Sequence, residues 1–316
     1  MMPAIRVTAP GLLTTVQDLG RWGWQSRGVP VAGPMDPRAH RLANTLVENP
    51  ADAATLEVTL VGPGLEFEDA RIVAVTGAAF EIMLNGQPVP MNGAFSVDAG
   101  AVLSFGARLR GARAYIGVSG GIAVPPVFGS RATHLPSRMG GLDGRSLRAG
   151  DVLPVGTTNR SLFATRVVDI GLSALPDGNA TVRVLPGPQQ DRFAADALDV
   201  LQSGPYIVDT QSDRMGFRLH GPRLEHAGNA EMLSDATAVG GLQVPARGEP
   251  ILLMADRQTT GGYPIVATVI SADIGVAGQL APGDGVSFVV ASFGEAMAAL
   301  IAQERTLMAF ESSGRR

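Results

Sequence analysis

The 316-residue chain contains no cysteine and no lysine, so all 25 basic side chains are arginine. The first absence removes thiol nucleophiles, disulfides and thiolate metal sites. The second removes any Schiff-base or P-loop lysine. An anion must then be held by guanidinium groups, backbone N–H groups, hydroxyls or a metal. No apolar run approaches the roughly 20 residues of a membrane-spanning helix, and the N-terminus lacks the basic, apolar, small-residue order of a signal peptide. A soluble cytoplasmic protein with no membrane partner is expected. The formal net charge is −4 and no basic stripe with interleaved aromatics occurs, which argues against nucleic acid. The four histidines, His40, His134, His220 and His226, show no metal-binding spacing. No Gly-x-Ser-x-Gly elbow is present, so a one-chain serine hydrolase is disfavoured.

What is abundant is glycine, with 40 residues, and proline, with 22. Both favour many short strands and tight turns over long helices. Strands are expected at Ala4–Thr8, Arg71–Thr76, Ala79–Leu84, Ala94–Val97, Ala101–Phe105 and Ala112–Ser119, with hairpin turns at Asn85-Gly86 and Asn92-Gly93. Asp36-Pro37 reads as N-cap and first helical residue of a helix that Asn49-Pro50 ends. Two more helices are expected. One spans about Gln189–Gln202, and the other spans Gly294–Met308 and buries Met297, Leu300, Ile301 and Met308. The fold class is therefore mainly β with a few helices, in two β-barrel-like domains. Residues 1–164 form the first and 165–310 the second, with 311–316 a disordered tail.

Polar chemistry concentrates in Asp256-Arg257-Gln258-Thr259-Thr260-Gly261-Gly262-Tyr263-Pro264, between the apolar run Ile251–Ala255 and the β-branched run Ile265–Ile270. Read as a hairpin loop, these nine residues exceed the about two to five that a hairpin needs. They suit a binding loop, and turn chemistry from Gly261-Gly262, Asp256 and Thr259 is the plainer alternative. Three clusters compete with it. Asp213-Arg214 before Gly216 could clamp an anion or form a self-contained surface turn. Asp235, with Gln243 set between apolar neighbours, offers an acid and an amide that must find partners. Gln17, Asp18 and Arg21 form the third.

Together these motifs resemble the family of the C-type component of 5-oxoprolinase, also called the second allophanate hydrolase component or the biotin-dependent carboxyltransferase family. The resemblance rests on Gln17-Asp18-Leu19-Gly20-Arg21, Gly33-Pro34-Met35-Asp36, Gly117–Ile122, Gly129-Ser130-Arg131, Ser212–Gly216, Gln243-Val244-Pro245 and Asp256–Pro264. It implies two cyclophilin-like β-barrels. It also implies a heteromeric complex with a homologous B-type component and a barrel-shaped A-type component, cleaving 5-oxo-L-proline to L-glutamate with ATP and Mg²⁺. On that reading Arg257 and Arg214 hold phosphate or substrate carboxylate, and Asp256, Asp213 or Asp235 orients them or holds Mg²⁺. Gln258, Thr259, Thr260 and Tyr263 hydrogen-bond a small amide or lactam substrate, and Gln243, Gln17, Asp18 and Arg21 assist. Two alternatives stay open: carboxyl transfer from carboxyl-biotin to urea or a related amide, and a non-catalytic antagonist of a kinase inhibitor. Without lysine the chain carries no covalent biotin of its own.

Overall fold

The structure is a computed structural model that describes residues 4–158, 166–167 and 175–313. It is mainly β, and the chain divides into two compact units. One comprises Met1–Arg21, Ala32–Leu175 and Thr306–Arg316, and the other comprises Trp22–Val31 and Pro176–Arg305. The boundary expected at 164/165 lies outside the described residues.

The first unit is one ten-stranded sheet. Its strands are β1 (Ala4–Ala9), β2 (Leu13–Gln17), β3 (Thr55–Thr59), β4 (Gly64–Phe67), β5 (Arg71–Leu84), β6 (Gln87–Pro88), β7 (Gly93–Val97), β8 (Val102–Val118), β9 (Val152–Pro154) and β10 (Arg166–Val167). The runs expected as separate strands on either side of Gly77 are the single strand β5, and those on either side of Gly111 are the single strand β8. The pairing of β5 with β8 shifts register three times between Gly77 and Ile82. Such bulges let a long strand bend without ending, so sequence breaks became kinks. One edge of β8 is shared, its start pairing with β4 and its end with β3. Asn85 and Gly86 both take positive φ in the β5–β6 turn, which a two-residue hairpin requires. Helix α1 (Pro37–Leu46) buries Leu42, Ala43 and Leu46 on one face, and the Asp36 carboxylate accepts the Ala39 N–H at 3.0 Å as its N-cap.

The second unit is a closed barrel with strand order β11-β18-β15-β16-β13-β12-β19. The strands, including a small ribbon outside the barrel, are β11 (Asn179–Pro186), β12 (Tyr206–Val208), β13 (Gly216–His220), β14 (Asp235–Ala236), β15 (Gly241–Gln243), β16 (Ile251–Leu253), β17 (Thr260–Gly261), β18 (Ile265–Val269) and β19 (Gly285–Val290). Parallel pairing of β11 with β19, from Asn179↔Gly285 to Val184↔Val290, closes it. Val182, Val184, Tyr206, Phe217, Leu242, Leu252, Val266 and Phe288 are buried in its core.

Helix α2 is only Ala197–Gln202, preceded by one 3₁₀ turn at Gln190–Arg192. Phe193 interrupts the expected longer helix, because it is extended, bridges to His226 and stacks on that imidazole at 4.9 Å. After the short α3 (Ile274–Gly278), α4 runs from Phe293 through Ser313, into the segment expected as a tail. Of its expected apolar face, Met297 (40%), Ile301 (44%) and Met308 (58%) are exposed and Leu300 is half-buried, whereas Leu307 is buried.

Candidate functional site

The nine-residue loop is not a hairpin. Strands β16 and β18 are not neighbours, because β15 lies between them and pairs with both. Both run antiparallel to β15, so the loop runs back past β15 from its Gly241 end to its Gln243 end, and this return accounts for its length. Three sets of bonds hold it down.

At its start, the Asp256 N–H donates to the Arg214 carbonyl at 2.8 Å, extending the β13–β16 ladder. The Arg214 guanidinium then grips the Asp256 carboxylate through Nε and Nη2 at 3.0 and 2.9 Å. Both side chains are almost wholly buried, at 4% and 1% exposure. At its middle, β17 pairs with β14 as Asp235↔Gly261 and Ala236↔Thr260. The Thr237 N–H continues the ribbon to the Thr259 carbonyl at 3.0 Å, and the Thr237 hydroxyl donates to the Gln258 carbonyl. At its end, the buried Gln243 amide donates to the Tyr263 carbonyl at 3.1 Å and accepts from Gln258 Nε2 at 3.3 Å. The amide thus finds its partners inside the loop itself. A Cβ on Gly261 would lie 2.3 Å from Gln243 Nε2, so only glycine allows this approach.

Arg257 follows directly on the pinned Asp256. Its Nε lies 3.5 Å from the Thr237 carbonyl, and no ion pair engages its guanidinium among the described residues. Burial alone pushes its pKa below the usual arginine range, with no carboxylate to offset that. A desolvated cation without a counter-charge favours an anion. Gln258, Thr259 and Thr260 follow it in the loop, and Asp235, whose carboxylate is exposed, pairs with Gly261 across the ribbon. That carboxylate accepts its neighbour Ala236 N–H at 2.7 Å and Gln189 Nε2 at 3.4 Å. Tyr263 and the 93%-exposed Leu233 add apolar surface beside the ribbon, Met232 being tied to the Gly262 carbonyl at 3.0 Å.

The structure thus brings Asp235, Gln243, Arg257, Gln258, Thr259, Thr260 and Tyr263 together. It gives Arg214 and Asp256 to each other, so neither offers its charge to a ligand. Asp213 is turn chemistry: its carboxylate accepts the Met215 N–H at 2.8 Å. In the first unit, Gln17, Asp18 and Arg21 serve the chain's own loops. Gln17 Nε2 donates to Thr15 and the Thr133 carbonyl at 3.0 and 3.1 Å. Asp18 accepts from the Ser130 hydroxyl and the Arg131 N–H, and Arg21 donates to the Ala132 carbonyl. All three are buried, and they tie the glycine-rich stretch after residue 126 to β2.

Sequence reasoning missed Thr237 and Gln189, which join the loop through long-range bonds that leave no local pattern. It also missed a buried network at the start of α1. There Glu57 accepts from the Tyr115 hydroxyl at 2.7 Å and the Met35 N–H at 2.9 Å. Burial and the neighbouring carboxylates hold the Tyr115 phenol well above its usual range.

Residues 27–290 match the family described as carboxyltransferase domain, subdomain A and B. The chain is 40% identical to the C-type component of 5-oxoprolinase from Escherichia coli, over 95% of this chain and 96% of that protein. It is 35% identical to the "Urea amidolyase" of Saccharomyces cerevisiae over 92% of this chain, which spans 17% of that much longer protein. Among solved structures, the Kluyveromyces lactis urea carboxylase superposes with a TM-score of 0.91 at 33% identity, over 99% of this chain and 30% of that one. The chain belongs to the carboxyltransferase domain family of the subdomain A and B type.

Proposed function

We propose that this protein is one component of an ATP-dependent 5-oxoprolinase, cleaving 5-oxo-L-proline to L-glutamate together with an A-type and a B-type partner. One observation carries the reading: the chain is 40% identical to the 5-oxoprolinase component from Escherichia coli over 95% of its residues, against 35% identity with the yeast urea amidolyase. The lactam carbonyl is resonance-stabilised, and phosphorylating its oxygen makes hydrolysis feasible, a task of positioning and charge neutralisation. In this chain the loop from Asp256 to Pro264 supplies positioning: Arg257 for an anionic group, and Gln258, Thr259, Thr260 and Tyr263 for an amide.

The residues of the loop do not fit Mg²⁺–ATP. Asp256 is neutralised by Arg214, Asp213 caps its own turn, and Asp235 is bound to Ala236 and Gln189. Among the described residues no group of acidic or histidine side chains is arranged for a metal ion. On this reading the loop binds the substrate and not the nucleotide. Kinship with urea carboxylase supports a second reading, in which the same loop polarises a ureido carbonyl during carboxyl transfer from a biotin carried elsewhere.

Co-expression with both partner proteins, followed by assay of ADP and glutamate release from 5-oxo-L-proline, tests the first reading. Stoichiometric release is expected. An assembled complex that ignores 5-oxo-L-proline but carboxylates urea from carboxyl-biotin would establish the second.

A further inference from the structure

We propose that Arg257 is the recognition residue for a small carboxylate monoanion, and that its site discriminates against phosphate and nucleotides. The choice of a lactam as the molecule bearing that carboxylate rests on the 5-oxoprolinase reading; the charge argument does not.

The loop carries one cation available to a ligand. Arg214, the other arginine of these motifs, is neutralised in a buried two-bond pair with Asp256. Arg257 has the Thr237 carbonyl near Nε and no carboxylate partner among the described residues. Its planar fork matches a carboxylate in a two-bond geometry. The other loop side chains offered to such a ligand are neutral: the amide of Gln258 and the hydroxyls of Thr259 and Thr260. They satisfy an amide or lactam but add no positive charge. Asp235, on the ribbon strand opposite Gly261, contributes the opposite sign. One guanidinium in a loop of otherwise neutral ligand-binding groups suits a single negative charge and disfavours the two to four charges of phosphate or ATP. Leu233 and Tyr263 supply exposed apolar surface at the same edge, suited to ring methylenes.

The backbone that carries the cation is also held in place. Asp256, the residue before it, is fixed by its backbone bond and its ion pair to Arg214, and the residues after it by the ribbon and by Gln243. A side chain on a pinned backbone has less freedom to lose on binding, which favours a small ligand with few contacts. All these residues belong to the second unit.

Isothermal titration of the full-length chain tests this with five probes: 5-oxo-L-proline, 2-pyrrolidone (the same lactam without the acid), cyclopentanecarboxylate (the acid without the lactam), inorganic phosphate and ATP. We expect 5-oxo-L-proline to bind at least tenfold tighter than 2-pyrrolidone, and cyclopentanecarboxylate to bind detectably. Phosphate and ATP should bind more weakly than either acid. Arg257→Gln should erase the tenfold preference, and Arg257→Lys should retain part of it, circular dichroism reporting that each variant is folded. Unchanged binding in Arg257→Gln, binding of phosphate or ATP as tight as that of the acids, or no binding of any carboxylate overturns the proposal. If carboxylates bind through Arg257 while the assembled complex leaves 5-oxo-L-proline intact, the 5-oxoprolinase reading fails and this one stands. If the complex turns over 5-oxo-L-proline equally well with Arg257→Gln, the reverse holds.

Discussion

Arg214 and Arg257 carry the same functional group and sit in neighbouring motifs, yet burial and partners give them opposite tasks. Arg214 is committed to Asp256 in a buried pair, and its removal would leave a buried carboxylate without its charge partner. Arg214→Ala should therefore cost about 3–5 kcal/mol in urea unfolding, whereas Arg257→Ala should change stability little, because no ion pair is lost. A second residue-scale expectation concerns His40, on the buried face of α1, with Nδ1 2.9 Å from the Thr55 hydroxyl and Nε2 3.2 Å from the Ala51 carbonyl. Burial pushes its pKa from 6.5 down to about 4. Between these values the unfolded chain binds a proton that the folded chain refuses, so stability is complete above the upper value and falls as the pH drops towards the lower. The loss is expected to approach about 3 kcal/mol. Unfolding of the wild type and His40→Gln between pH 7 and 4.5 checks this: the substitution should flatten that part of the slope.

At the scale of elements, α1 follows its local signals. Asp36 caps it, Pro37 opens it, and Asp36→Ala should cost about 1 kcal/mol while Asp36→Asn costs much less, read by thermal or urea unfolding. Helix α4 shows the opposite balance. Its start is legible, since Ser292 and Glu295 form a reciprocal capping box: the Ser292 N–H donates to Glu295 at 2.8 Å and the Glu295 N–H to Ser292 Oγ at 3.2 Å. Its buried face is not legible, because apolar residues occur around much of the helix and periodicity cannot say which face meets protein. Leu307→Ala should cost about 2–5 kcal/mol, and Ile301→Gln or Met308→Gln less than about 0.5 kcal/mol. The expected helix at 189–202 failed for a related reason: packing of Phe193 on His226, far along the chain, overrides helical propensity.

Across the whole molecule, regular sheet coexists with small pieces of structure pinned to it. The closed barrel has no free edge between β11 and β19, whereas the ribbon of β14 and β17 has two residues in each strand. Hydrogen exchange should find the amides of β11, β18 and β19 protected longest and those of residues 259–262 exchanging faster, unless a carboxylate ligand holds the ribbon. Composition, turn signals and alternation by themselves determined that the chain is rich in strands, where its sharp turns fall, that α1 begins at Asp36, and that polar chemistry collects between residues 256 and 264. These properties depend on neighbours within a few positions. Only the tertiary structure decided that the loop runs back past β15, that Arg214 is neutralised by Asp256, that Gln243 ties the loop down, and that Gln17, Asp18 and Arg21 brace their own unit. Those outcomes depend on which distant groups share a buried space, where desolvation makes each charge and amide bond its nearest partner. Arg257 keeps its cation available because no carboxylate among the described residues pairs with it.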